Sequence, residues 1–131
     1  MNELQLQIEA LKEKFIAGYY KSIDVDEGWY QLVVDCDKEL TQIDSHYTIA
    51  QIKEKFGGLR YYFQPSQSDT SEAMHKVVKK YEAIAAVTCE ATGGLGVLMK
   101  GVGGWLKTLN PEYAKTTIFY KNYKIIDKDL S

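Results

Sequence analysis

The segment QIKEKFGGLRYYF, residues 51–63, constrains the fold more than any other part of the chain. Upstream of it the apolar residues recur every three or four positions, whereas from Tyr47 onward they alternate, so a helix signal gives way to a strand signal. Ala50, Ile52, Glu54 and Phe56 alternate with Gln51, Lys53 and Lys55, and beyond Gly57-Gly58 the residues Leu59, Tyr61 and Phe63 alternate with Arg60, Tyr62 and Gln64. A glycine pair supplies the positive φ angles of a two-residue turn, which predicts a hairpin turning at Gly57-Gly58. That register sets Phe56 opposite Leu59, Lys55 opposite Arg60, Glu54 opposite Tyr61 and Lys53 opposite Tyr62. One face, with Ile52, Phe56, Leu59, Tyr61 and Phe63, turns to a core, and the other carries Lys53, Lys55, Arg60 and Tyr62.

Around the hairpin the pattern is helical. Leu4, Ile8, Leu11, Phe15 and Tyr19 form one stripe over residues 3–19, and Trp29, Leu32, Val33, Cys36, Leu40 and Ile43 form another after the break AGYYKSIDVDEG. A third helix is expected from a capping box at Asp69 and Glu72 to about Val87. Ala73, Val77, Tyr81, Ile84 and Thr88 lie on its inner face, and Lys76, Lys79 and Lys80 form an outward basic patch. Beyond Cys89 the stretch CEATGGLGVLMKGVGGWLKTLNPEY holds most of the ten glycines, which implies tight turns with short strands between them. No Gly-Lys-Ser/Thr ending marks a phosphate loop there. TTIFYKNYKII alternates as a final strand or hairpin would.

At 131 residues, with 45% hydrophobic and 26% charged positions, the chain fits a single α+β domain. Its parts are a helical portion (1–46), a hairpin with a helix (47–88) and a glycine-rich portion with C-terminal strands (89–131). A net charge of −2 provides no global attraction for nucleic acid or anionic membrane, so such binding would need a local patch. Neither a signal peptide nor a membrane-length apolar run is evident, and a cytoplasmic location is expected. Cys36 falls on a helix face and Cys89 at a helix-to-loop junction, so the two do not read as a disulfide framework.

GWYQL (28–32), QIKEKFGGLRYYF (51–63), MHKVVKKYEAIAAVTCE (74–90) and GGWLKTLNPEYA (103–114) together resemble a family of small uncharacterised proteins encoded by phages and prophages. Members of that family carry a KEKFGGLRFY-like segment and two C-terminal Cys/His pairs that look like a small zinc site. In this chain Cys89 matches the first ligand, while Thr92, Asn110 and Tyr113 stand at the other three. Thr, Asn and Tyr are poor zinc donors, so the resemblance implies a knuckle held without metal by its glycines and Trp105, with a helix beginning at Pro111. It brings no catalytic residue and no cofactor. It does imply a phage-type accessory protein in the bacterial host cytoplasm that binds a host macromolecule, as an inhibitor or counter-defence protein.

Candidate site residues follow from charge. Arg60 is the only arginine among 16 basic residues, and facing Lys55 it requires an anion. An internal carboxylate from Asp24, Asp26 or Glu27 would satisfy its planar guanidinium, and so would a partner's phosphate or acidic surface. In the second case Lys53, Lys55, Arg60 and Tyr62 would form a binding strip for protein or for nucleic acid. Glu54, an acid on the inner face, must be hydrogen-bonded or neutral, and a hydrolase would need it in one pocket with His75. His46 and His75 assemble no triad or metal site. Trp29, Gly57, Gly58, Cys89 and Trp105 are expected to be structural.

Overall fold

A computed structural model describes residues 1–126. The fold is α+β, with two small sheets and helices on one side of the first. Helix α1 (Glu3–Leu11) starts at a capping box in which Asn2 accepts from the Gln5 N–H at 2.8 Å and Gln5 returns the bond at 3.0 Å. It ends earlier than the stripe over residues 3–19 predicts. After one 3-10 turn Phe15 leaves the helix to bridge Ile49, and Ile16 donates to the Ile49 carbonyl at 2.9 Å, so pairing with the sheet replaces the last turns. Tyr19 is consequently exposed.

Strand β1 (Ile23–Asp24) runs parallel to β2 (Thr48–Lys55), which pairs antiparallel with β3 (Gly58–Gln64). Helix α2 (Tyr30–Ile43) and helix α3 (Ser71–Ala85) cover the inner face together with α1. α3 begins without the Asp69 and Glu72 box, behind a 3-10 turn and Thr70, and it buries Met74, Val78, Tyr81 and Ala85. Its inner face is thus rotated from the predicted one, leaving Ala73 and Ile84 exposed. The shared core is centred on Trp29, Val33, Leu40, Ile49, Ile52 and Leu59. Within it Tyr47 donates to Asp37 at 2.6 Å and lies 2.7 Å from the Tyr61 hydroxyl, so the buried phenols are satisfied.

The hairpin turns one residue earlier than predicted. Lys55 pairs with Gly58, Glu54 with Leu59, Lys53 with Arg60 and Ile52 with Tyr61, which puts Phe56 and Gly57 in the turn at φ 55° and 81°. The shift keeps Ile52, Leu59 and Tyr61 inside and expels Phe56, which is 68% exposed. A left-handed Phe costs about 1–2 kcal/mol relative to Gly. What holds it is Gly57: its carbonyl accepts from buried Thr108 at 2.7 Å, and a Cβ there would lie 2.5 Å from the Leu98 side chain.

Thr108 belongs to the second sheet, in which β4 (Val97–Lys100) lies between β5 (Leu106–Leu109) and β6 (Lys124–Ile125). A short helix, α4 (Pro111–Lys115), starts at Asn110, whose side chain accepts from the Tyr113 N–H at 3.0 Å. The expected strand or hairpin over TTIFYKNYKII is mostly turns, with only Lys124 and Ile125 paired, because Tyr120 and Tyr123 fold back on the small core of Cys89, Met99, Leu109 and Ala114. No described helix is long and apolar enough to cross a membrane.

Candidate binding face and cleft

Turning the hairpin at Phe56-Gly57 changes what its tip can do. A cleft of about 440 Å³ opens between Lys53–Phe56 on one wall and Gly103–Leu106 on the other. Phe56 stands on the first wall with the Lys55 ammonium 5.4 Å from its ring centroid. The second wall is built by Gly103 and Gly104, both at positive φ (85° and 89°), a backbone that lifts Trp105 outward. Trp105 is 74% exposed, so it does not pack the knuckle as expected and instead offers its indole at the rim. Glu54, on the first wall, accepts from the Gly57 N–H at 2.6 Å, which satisfies the carboxylate with backbone.

Outside the cleft the sheet surface is uncovered, and Lys53, Lys55, Arg60 and Tyr62 share it as anticipated. Arg60 stands in register with Lys53, and Lys53 with Asp24. The carboxylate expected for Arg60 is absent from it. Asp24 accepts from the Ser22 hydroxyl at 2.5 Å, and Asp26 is engaged by Lys107 at 3.0 Å. Arg60 folds over Gly58 and donates to the Leu59 carbonyl at 3.3 Å. Among the described residues no carboxylate lies within 4.0 Å of Lys53, Lys55 or Arg60.

The third-helix patch is a different case. Lys80 is paired with Glu39 at 2.6 Å and Lys76 sits 3.9 Å from Glu72, so Lys79 alone of the three lacks an ion pair among the described residues. His75 accompanies Phe63, ring centroids 4.8 Å apart, near the open end of the hairpin, whereas Glu54 is at the tip. Five residues of strand separate the Phe63 partner Ile49 from Glu54, about 16 Å, which removes a shared pocket for the two. His46 is exposed in the turn before β2.

Trp29 and Cys89 are both fully buried, and the Trp29 indole N–H donates to the Thr88 carbonyl at 2.9 Å. Cys89, Thr92 and Asn110 do converge. Burial pushes the Cys89 thiol up, but hydrogen bonds from the Thr92 hydroxyl and from the Asn110, Thr92 and Ala91 N–H groups outweigh it and hold the thiol below its ordinary value. Asn110 meanwhile caps α4 at Tyr113, so those two positions serve the backbone. Among the described residues no group of three His, Cys, Asp or Glu side chains is placed to hold a metal ion.

Glu90 and Lys107 give no signal in the sequence although they form the most buried ion pair among the described residues. Glu90 is 1% exposed, accepts from Lys107 at 2.9 Å and from the Asp26 N–H at 2.9 Å. Burial raises the Glu90 carboxyl above its ordinary value despite these bonds. For Lys107 burial acts to lower the ammonium, yet the bonds to Glu90 and Asp26 prevail and raise it. The more deeply buried Glu90 therefore carries the desolvation cost, while Lys107 stays firmly charged. A Glu next to a Cys in a glycine-rich run carries no periodicity signal, which is why only the fold discloses the pair.

These features define a two-layer α+β protein with an open sheet face and an aromatic cleft at its tip. Comparison with known proteins finds no matching family model, no matching curated protein and no matching solved structure.

Proposed function

We propose that the protein acts by binding, and that its principal partner is a protein that seats in the cleft between the hairpin tip and Trp105. One observation carries this reading. Two large aromatic side chains, Phe56 on a left-handed turn and Trp105 on a left-handed glycine pair, are displayed to solvent on opposite walls of one cleft. Exposed aromatics rimmed by cations are what interface hot spots are made of, and although docking of Gly57 fixes the turn, a large ring at its left-handed position gains the fold no burial. The resemblance to phage-encoded proteins supports a host protein as partner and an inhibitory or counter-defence role. No catalytic step belongs to this reading.

The test is comparative capture from bacterial lysate by the tagged protein and its Phe56→Ala, Trp105→Ala and Lys79→Ala variants. A host protein retained by wild type and Lys79→Ala but lost by the two aromatic variants is the expected result. Equal retention by all four would remove the cleft from the interaction.

A further inference from the structure

We propose that the open face of the β1–β2–β3 sheet is a binding site for single-stranded nucleic acid, distinct from the cleft and sharing with it only Lys53 and Lys55. Helices cover the other face of this sheet, so Gln51, Lys53, Arg60 and Tyr62 share its open side, Gln51 and Tyr62 exposed and Lys53 and Arg60 half-buried. Tyr62 is in register with Gln51, and Arg60 with Lys53, which sets an aromatic ring and an amide one row from a pair of cations. Beyond Tyr62 a second groove of about 410 Å³ is bordered by Tyr19 and Tyr20, 49% and 86% exposed. Gly18, at φ 86° with open space around it, directs that loop.

Such a face has the parts that a single strand requires. Each base offers a π surface for an exposed tyrosine, and each phosphate needs a cation not already paired. Lys53, Lys55 and Arg60 are such cations, with no carboxylate within ion-pair reach among the described residues. Tyr62 and Arg60 are two residues apart on one strand, about 7 Å, a spacing similar to one step of an extended strand. A protein partner favours the cleft instead, where the apolar rings are, because the open face has phenols, an amide and unpaired charge but no aliphatic anchor. Asp24, in register with Lys53, is the one carboxylate bordering the groove and opposes the bound phosphates.

Fluorescence anisotropy of a labelled oligo-dT or oligo-U twelve-mer with the intact protein tests this. Three phosphate contacts predict a log–log salt slope near about −2, hence roughly 20-fold weaker binding at 200 mM than at 50 mM salt. Tyr62→Ala weakens binding at least about fivefold while Tyr62→Phe retains it, since stacking needs the ring and not the hydroxyl. Asp24→Asn tightens it about threefold by removing one repulsive charge. Trp105→Ala leaves it unchanged. No anisotropy change at about 100 µM protein in low salt overturns the proposal, as does binding that is salt-independent or lost in Trp105→Ala but kept in Tyr62→Ala. Partner capture by the same preparation reads the cleft separately, so either site can fail alone.

Discussion

The two sheets are stabilised by different means. The first is closed by eighteen buried residues, whereas the second buries four among the described residues, Cys89, Met99, Leu109 and Ala114, with Ala91, Tyr113, Tyr120 and Tyr123 half-buried against them. So small a core cannot offset the conformational entropy of about forty residues, so the glycine-rich third of the chain depends on polar ties to its larger neighbour. Those ties are the Trp29 indole to Thr88, the Asp26 N–H to Glu90, Lys107 to Asp26, and Thr108 to the Gly57 carbonyl. A small region built this way is positioned accurately without being independently stable, which suits a wall that presents Trp105.

The contrast can be broken most severely at Trp29. Trp29→Ala removes the largest core side chain and one of the ties, and should cost about 3–5 kcal/mol, seen as a lower urea midpoint that affects both sheets. Lys107→Met comes next, at about 3 kcal/mol, because it strands the Glu90 carboxylate in a dry site. Adding Glu90→Gln should recover most of that loss, and a double variant as unstable as Lys107→Met would show that the ion pair is not the tie.

The same ion pair sets a pH dependence. The Lys107 ammonium is raised in the folded state, so its contribution is complete below the ordinary lysine value near about 10.4 and is lost as pH rises through the folded value. The stability difference between wild type and Lys107→Met should therefore hold up to about pH 10 and shrink only above about 10.4, and a difference still constant at about pH 12 would contradict it.

Phe56→Gly has the opposite sign. Relieving the left-handed Phe should stabilise the hairpin by about 1 kcal/mol while weakening capture of the protein partner, and a loss of stability would mean that Phe56 packs usefully. At the small end, Lys76→Ala should change stability by less than about 0.5 kcal/mol, since Lys76 and Glu72 are both highly exposed.

Much of the first sheet was legible in the sequence because burial is periodic. The alternation around Ile52 and Tyr61 and the three-four spacing around Trp29 and Leu40 report faces, and those faces are where they were expected. The turn falls one residue from the expected place since local preference favours glycine at both turn positions, while the docking of Gly57 against Leu98 and Thr108, both far along the chain, decides otherwise. The open face survived that shift because moving the turn by one residue changes each cross-strand partner by two, which keeps the same side chains on one side. Neither candidate aspartate reaches Arg60, for a related reason: Asp26 is engaged by Lys107 and Asp24 by Ser22, partners that charge alone could not rank above an arginine. Trp105 was misjudged because glycine-rich sequence gives no face, so only the paired positive φ angles reveal that it points outward.

Gly28 has a consequence for how the molecule is assembled. A Cβ there would collide with the carbonyl oxygens of Glu90 and Cys89, so the loop backbone after α3 lies directly on the turn before α2. The contacts that seal this seam join residues 59 and 64 positions apart, Trp29 to Thr88 and Asp26 to Glu90. Long-range closures of that kind form late, after the helices and hairpin have supplied a surface to close upon. The seam is then the last step on the way in and the first to open on the way out, and slow events in this protein's life should begin with residues 88–90 lifting away from Gly28.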